Sequence, residues 1–169
     1  LISNILPFHA KHMLDGERGG FYGTISHDLV IDPLAPKGLV QNGRLLWSYA
    51  HAARKLQQAD YLELAERAYS YLLNHFVDTE HGGLYWFVDA AARPFSTNKI
   101  SYGQAFAIYG FSEYFLATGA ERSLQTAVSL YHLLEQHAWD PEHGGYFDAF
   151  LADWTRTRSE ERRVGKECS

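Results

Sequence analysis

Cysteine is almost absent from this 169-residue chain. Cys168 is its sole thiol, which excludes an intramolecular disulfide framework. So little cysteine fits a reducing compartment, and a cytoplasmic location is the expectation. Positive charge is also scarce. Lys and Arg number 15 against 20 Asp and Glu, a formal net charge of −5, so the basic footprint of a nucleic-acid binder is missing. No run of about 18 apolar residues occurs, and no membrane span is expected. There is no Cys-rich metal cluster, no Gly-rich phosphate loop and no nucleophile elbow. The nine histidines form no convincing site: His9 and His12 share a helical face but lack a third ligand. Neither a metal nor a cofactor is expected.

What the chain does have is repetition. "DGERGGFY" at Asp15–Tyr22 returns as "DTEHGGLY" at Asp78–Tyr85 and as "DPEHGGY" at Asp140–Tyr146. The glycine pairs begin at Gly19, Gly82 and Gly144, intervals of 63 and 62 residues. A fixed period of this size marks a repeat architecture. Lys37 and Lys99 follow their glycine pairs at nearly equal distance. Setting Lys37 on Lys99 places Asn42 on Gln104, Arg44 on Phe106 and Trp47 on Tyr109.

Two apolar-periodic runs lie between successive corners. Residues 59–76 place Leu62, Ala65, Tyr69 and Leu72 at three- and four-residue steps, with Glu63, Glu66 and Arg67 between them, as an amphipathic outer helix does. Residues 122–139 repeat the pattern. The runs 42–56 and 101–117 are apolar on more sides and read as inner helices buried nearly all round. An earlier helix is expected within residues 1–14. Gly119 is placed to stop the second inner helix in a left-handed turn. The loops of about 20 residues are long for a compact domain. "GGLYWFVD" and "GGYFDAF" within them suggest small β-hairpins. The acid of each corner could bind a cation, but the downstream acidic ligand of a calcium loop is missing. A turn in which the acid accepts amide hydrogen bonds and the glycines take positive φ is the expected reading.

Residues 158–169 change character and read as a non-native tail or assembly scar, leaving residues 1–157 as the repeat domain. Within that domain Arg44 stands in the apolar stretch "GRLLW". A buried arginine there needs a carboxylate partner or a ligand oxygen. Tyr102 precedes Phe106, the Arg44 equivalent, by one turn and could share a pocket rim. Asn42 and Gln104 could cap helices or touch a ligand.

These stretches, together with "DPLAPKGLVQNGRLLWSYA" and "KISYGQAFAIYGFSEYFLATG", resemble the N-terminal portion of the N-acylglucosamine 2-epimerase superfamily, most closely its cellobiose 2-epimerase branch. The resemblance implies the first five or so helices of an (α/α)6 barrel whose long loops carry short hairpins. It implies a metal-free epimerisation at C2 of a reducing-end sugar, through ring opening and a cis-enediolate. It assigns Arg44 to stabilising the enediolate and Tyr102 to hydrogen-bonding the sugar. The family's two acid/base histidines lie in later helix pairs, so this chain is expected to be inactive by itself. The partner it implies is a small sugar, with neither nucleic acid nor membrane. An aldose–ketose isomerase of the mannose type shares the scaffold. A glycoside hydrolase on a similar toroid and a non-catalytic helical-repeat carbohydrate-binding fragment are the further alternatives.

Overall fold

A computed structural model describes residues 4–157. The proposed tail at 158–169 lies outside them. Among the described residues five α-helices carry the fold: α1 (Ile5–His12), α2 (Leu39–Leu56), α3 (Ala59–Tyr71), α4 (Ser101–Thr118) and α5 (Glu121–His137). Short strands occupy the loops: β1 (Thr24–Ile25), β2 (Ile31–Asp32), β3 (Lys37–Gly38), β4 (Phe87–Val88), β5 (Pro94–Ser96), β6 (Lys99–Ile100) and β7 (Ala149–Phe150). None of the described helices is long and apolar enough to cross a membrane.

The helix–helix–loop unit appears twice. Each pair packs internally, α2 on α3 and α4 on α5, and the most extensive contact joins α2 to α4. The inner helices therefore lie side by side, with α3 and α5 behind them. Two glycines set how closely. A Cβ on Gly43 would meet the Phe106 carbonyl oxygen at 2.9 Å, and one on Gly110 would meet the Gly43 carbonyl oxygen at 2.7 Å. Both lie below ordinary Cβ contact, so the two backbones approach nearer than alanine would let them. The core behind this crossing is built from Leu39, Leu46, Tyr49, Leu72, Phe76 and Phe111, all buried. The helix α3 runs into a π-helical turn, Leu72–Phe76, which carries Leu72 and Phe76 into that core. Gly119 closes α4 at φ 72°, as the sequence signal predicts, and Gln57 closes α2 at φ 53°.

The loops repeat as faithfully as the helices. The strand entering each inner helix pairs antiparallel with a strand from the following corner. Lys37 lies opposite Val88 and Gly38 opposite Phe87; Lys99 lies opposite Phe150 and Ile100 opposite Ala149. The first amide of each inner helix bonds back to that corner, Leu39 N–H to the Trp86 carbonyl and Ser101 N–H to that of Asp148. The β4 strand also pairs with β5, and β1 with β2, making the small hairpins.

Each corner is a structural turn. Asp78 Oδ1 accepts the amides of Glu80 (2.9 Å) and His81 (3.1 Å), and Gly82 and Gly83 take φ of 73° and 76°. Asp78 Oδ2 holds the Lys99 ammonium at 2.6 Å, fully buried and over the Tyr85 ring. The first corner does the same with Asp15 and Lys37 at 2.7 Å, and Lys37 also donates to the Gly19 carbonyl. Burial opposes ionisation of both aspartates, but the lysine and the two turn amides outweigh it and hold the carboxyls below the usual carboxylate range. Burial pulls the two lysines down from their ordinary value, against the pull of the carboxylates. A carboxylate oxygen within 2.7 Å accepts from each lysine in a charge-assisted hydrogen bond. Among the described residues no group of three or more His, Cys, Asp or Glu could hold a metal ion.

One expectation needs correcting. The inner helices are not buried nearly all round. Arg44, Tyr102, Ala105 and Tyr109 are exposed along α2 and α4. The sheer apolarity of α4 does not reveal this, because its aromatic side chains stand on the open stripe as well as in the core.

Candidate functional site

The open stripe carries the candidate site. Position 44 of α2 is exposed, while Leu45 and Leu46 next to it are buried. Arg44 thus departs from the buried arginine expected from "GRLLW". Its guanidinium carbon lies 5.5 Å from the centroid of the Phe106 ring. Among the described residues no carboxylate pairs with it. Tyr102, 53% exposed, meets the other side of the arrangement: its ring stands edge-on to Phe106 at 4.8 Å. Phe106 thus gathers the two predicted residues, one from each inner helix. The repeat equivalence of positions 44 and 106 was the signal that could have identified it.

Deeper along the stripe lies a stack that spans both helices. Trp47 lies parallel to Tyr109 at 4.7 Å and to His51 at 4.8 Å. His51 Nδ1 is 3.0 Å from Glu113 Oε1, and Arg54 donates to the same oxygen from Nε (2.9 Å) and Nη2 (2.7 Å). Glu113 is buried, so this cluster secures a carboxylate that would be costly to leave unpaired. Nothing local in the sequence joins Glu113 to His51 and Arg54, which lie on the neighbouring helix. The offset of 62 between His51 and Glu113 puts them at the same level of neighbouring helices.

Asn42 and Gln104 are buried and do not reach the stripe. Gln104 reads both main-chain groups of Leu84: its Oε1 accepts the amide (3.0 Å) and its Nε2 donates to the carbonyl (2.7 Å). Asn42, one methylene shorter, donates only to the Gly38 carbonyl at 2.8 Å, and its Oδ1 is buried without a hydrogen-bond partner. His9 and His12 lie on α1 and pack around Phe8.

The arrangement can offer an unneutralised guanidinium fork and a phenolic hydroxyl, side by side on an aromatic floor. Such a surface suits a polyhydroxylated ligand that develops negative charge on oxygen.

Comparison with known proteins defines the class. The N-acylglucosamine 2-epimerase (GlcNAc 2-epimerase) family profile matches residues 19–163, and the chain belongs to that family. The cellobiose 2-epimerase of Bacteroides fragilis is 42% identical over 154 residues, which are 91% of this chain and 39% of that protein. A D-mannose isomerase of Marinomonas mediterranea is 30% identical over 90% of the chain and 38% of its own length. Among solved structures, cellobiose 2-epimerase from Bacillus thermoamylovorans superposes with a TM-score of 0.89 at 36% identity, covering 93% of this chain and 40% of that one. The fold is accordingly the N-terminal part of an (α/α)6 barrel. The chain spans about two fifths of the length of the relatives it matches.

Proposed function

We propose that the protein to which this chain contributes is a carbohydrate 2-epimerase acting at C2 of a reducing-end sugar of the cellobiose type. The reaction runs by ring opening, removal of the C2 proton to give a cis-enediolate, and return of a proton on the opposite face. The observation that carries this reading is Arg44: an exposed guanidinium held over Phe106 with no carboxylate partner among the described residues. Its five N–H donors are available to enediolate oxygens. Tyr102 hydrogen-bonds a sugar hydroxyl from the adjacent helix. Family membership and the 42% identity to a cellobiose 2-epimerase support the substrate class.

No histidine of this chain is assigned as the acid or base. Those groups belong to the part of the longer relatives beyond the match. Each contributes about 10²–10⁴-fold to proton transfer, so the chain alone is expected to be inactive. The complete enzyme, given cellobiose in D2O, incorporates deuterium at C2. Arg44→Ala lowers that exchange by about 10²–10³-fold while leaving the thermal midpoint unchanged. Full exchange in a folded Arg44→Ala variant removes Arg44 from the mechanism. A ketose product in place of the epimer favours the aldose–ketose alternative, suggested by the relative named as a D-mannose isomerase.

A further inference from the structure

We propose that the stacked pair Trp47 and Tyr109 sets how deep the sugar enters, and thereby which carbon of the enediolate is reprotonated. The proposal rests on the epimerase reading and adds to it a determinant of the product. The repeat builds a ladder down the open stripe. Arg44 and Phe106, Trp47 and Tyr109, and His51 and Glu113 are each 62 residues apart, and each pair meets across the α2–α4 crossing. Successive rungs are three or four residues apart in sequence, which is about 4.5–6 Å along the helices. Their chemistry changes with depth. The first rung offers the guanidinium, the second two near-parallel rings, and the third a buried carboxylate paired with Arg54.

The second rung is held from below. Trp47 stacks against Tyr109 at 4.7 Å and against His51 at 4.8 Å, within 13° of parallel in both cases. His51 is fixed by Glu113 Oε1 at 3.0 Å, and Glu113 by Nε and Nη2 of Arg54. Tilting the indole would disturb that buried cluster. Tyr109 is 47% exposed on the stripe, and its hydroxyl has no hydrogen-bond partner among the described residues. The rung therefore presents a rigid surface one helical turn beyond Arg44.

Ring opening leaves the aldehyde at C1, and loss of the C2 proton gives an enediolate with its oxygens on C1 and C2. A proton returned to C2 restores the C1 carbonyl and gives the epimer. A proton returned to C1 leaves the carbonyl at C2 and gives the ketose. Neither outcome needs an oxidant or a reductant. The two acceptors differ by one carbon–carbon bond, about 1.5 Å. Misplacement by about 1 Å can cost about 10²-fold in rate, so depth alone can choose the product. A cellobiose-type sugar carries its second ring away from C1, and C1 leads into the site. With the enediolate level with Arg44, C1 rests on the second rung. The spacing of about 4.5 Å between these rungs is little more than one van der Waals contact of about 3.5–4.0 Å. No further carbon fits between them.

The test gives cellobiose to the complete enzyme and measures epimer and ketose by NMR. The wild type should form the epimer as its main product. Tyr109→Ala opens space beside the indole at a half-exposed position, and should raise the ratio of ketose to epimer by about tenfold or more. Tyr109→Phe keeps the ring and should keep the wild-type ratio. Ala65→Gly, in the buried face of α3, controls for lost stability and should also keep it. An unchanged ratio in Tyr109→Ala overturns the proposal, as does a change of the same size in Tyr109→Phe or Ala65→Gly. A folded Tyr109→Ala enzyme without turnover overturns it too, because the pair would then serve the rate and not the choice of product. So does a wild type whose main product is the ketose. A wild type that forms neither product is a separate result, since it removes the epimerase reading itself.

Discussion

Removing the Lys99 ammonium tests the corner as the element that locks each loop to its inner helix. Lys99 is fully buried, 2.6 Å from Asp78 Oδ2, and Asp78 is 3% exposed. Lys99→Met keeps the length of the side chain and leaves the carboxylate buried without its counter-charge. Breaking a buried pair from one side costs about 3–5 kcal/mol. Asp78 Oδ1 retains the amides of Glu80 and His81, which places the expected loss at the low end, about 3 kcal/mol. For a domain of this size that is a fall in Tm of roughly 6–12 °C. Total stability is about 5–15 kcal/mol, so the loss is a large share of it. The second half of the cycle is Lys99→Met with Asp78→Asn. Asparagine keeps an oxygen for the two amides and removes the stranded charge. The double variant should recover more than about 1 kcal/mol relative to Lys99→Met alone, measured by urea unfolding with both variants at one pH. Additive losses, or a cost below about 1 kcal/mol for Lys99→Met, would refute the claim that the pair is one buried electrostatic unit.

Acid should unfold the chain through the same corners. The Asp15 and Asp78 carboxyls titrate lower in the fold than in the unfolded chain, so their stabilisation is complete above about pH 4 and is lost as pH falls through the folded values. Urea midpoints measured downward from about pH 7 should show that fall, and Asp78→Asn should flatten it. Asn42→Gln should raise stability by about 1–2 kcal/mol, because the longer amide can reach the first corner as Gln104 reaches the second, where Asn42 Oδ1 now has no partner. A lower Tm for that variant would show that the two corners are not equivalent at this position. Gly43→Ala should cost about 1–3 kcal/mol by driving a Cβ against the Phe106 carbonyl, and calorimetry on the single variant decides it.

Which parts of this protein were legible in one dimension follows from the range of the forces involved. The period of about 62 residues, the helix pairs, the left-handed stop at Gly119 and the turn chemistry of "DxEHGG" depend on local backbone preference and on apolar spacing. They were readable from the residues themselves. Arg44 and Tyr102 were also readable as candidates, through a family resemblance and through their place in the repeat. Their common support was not. Phe106 gathers them only because the glycines at 43 and 110 let α2 and α4 touch. Likewise the partners of Glu113 come from a helix some 60 residues earlier, and contacts of that separation leave no mark on local propensity. Exposure was the other quantity that only the tertiary structure decided. Apolar content alone suggested inner helices buried on every side, and a buried Arg44 with them. Which stripe of α2 and α4 stays open depends on how many neighbours pack around each helix, and that number is set by assembly of the repeat rather than by any single segment of it.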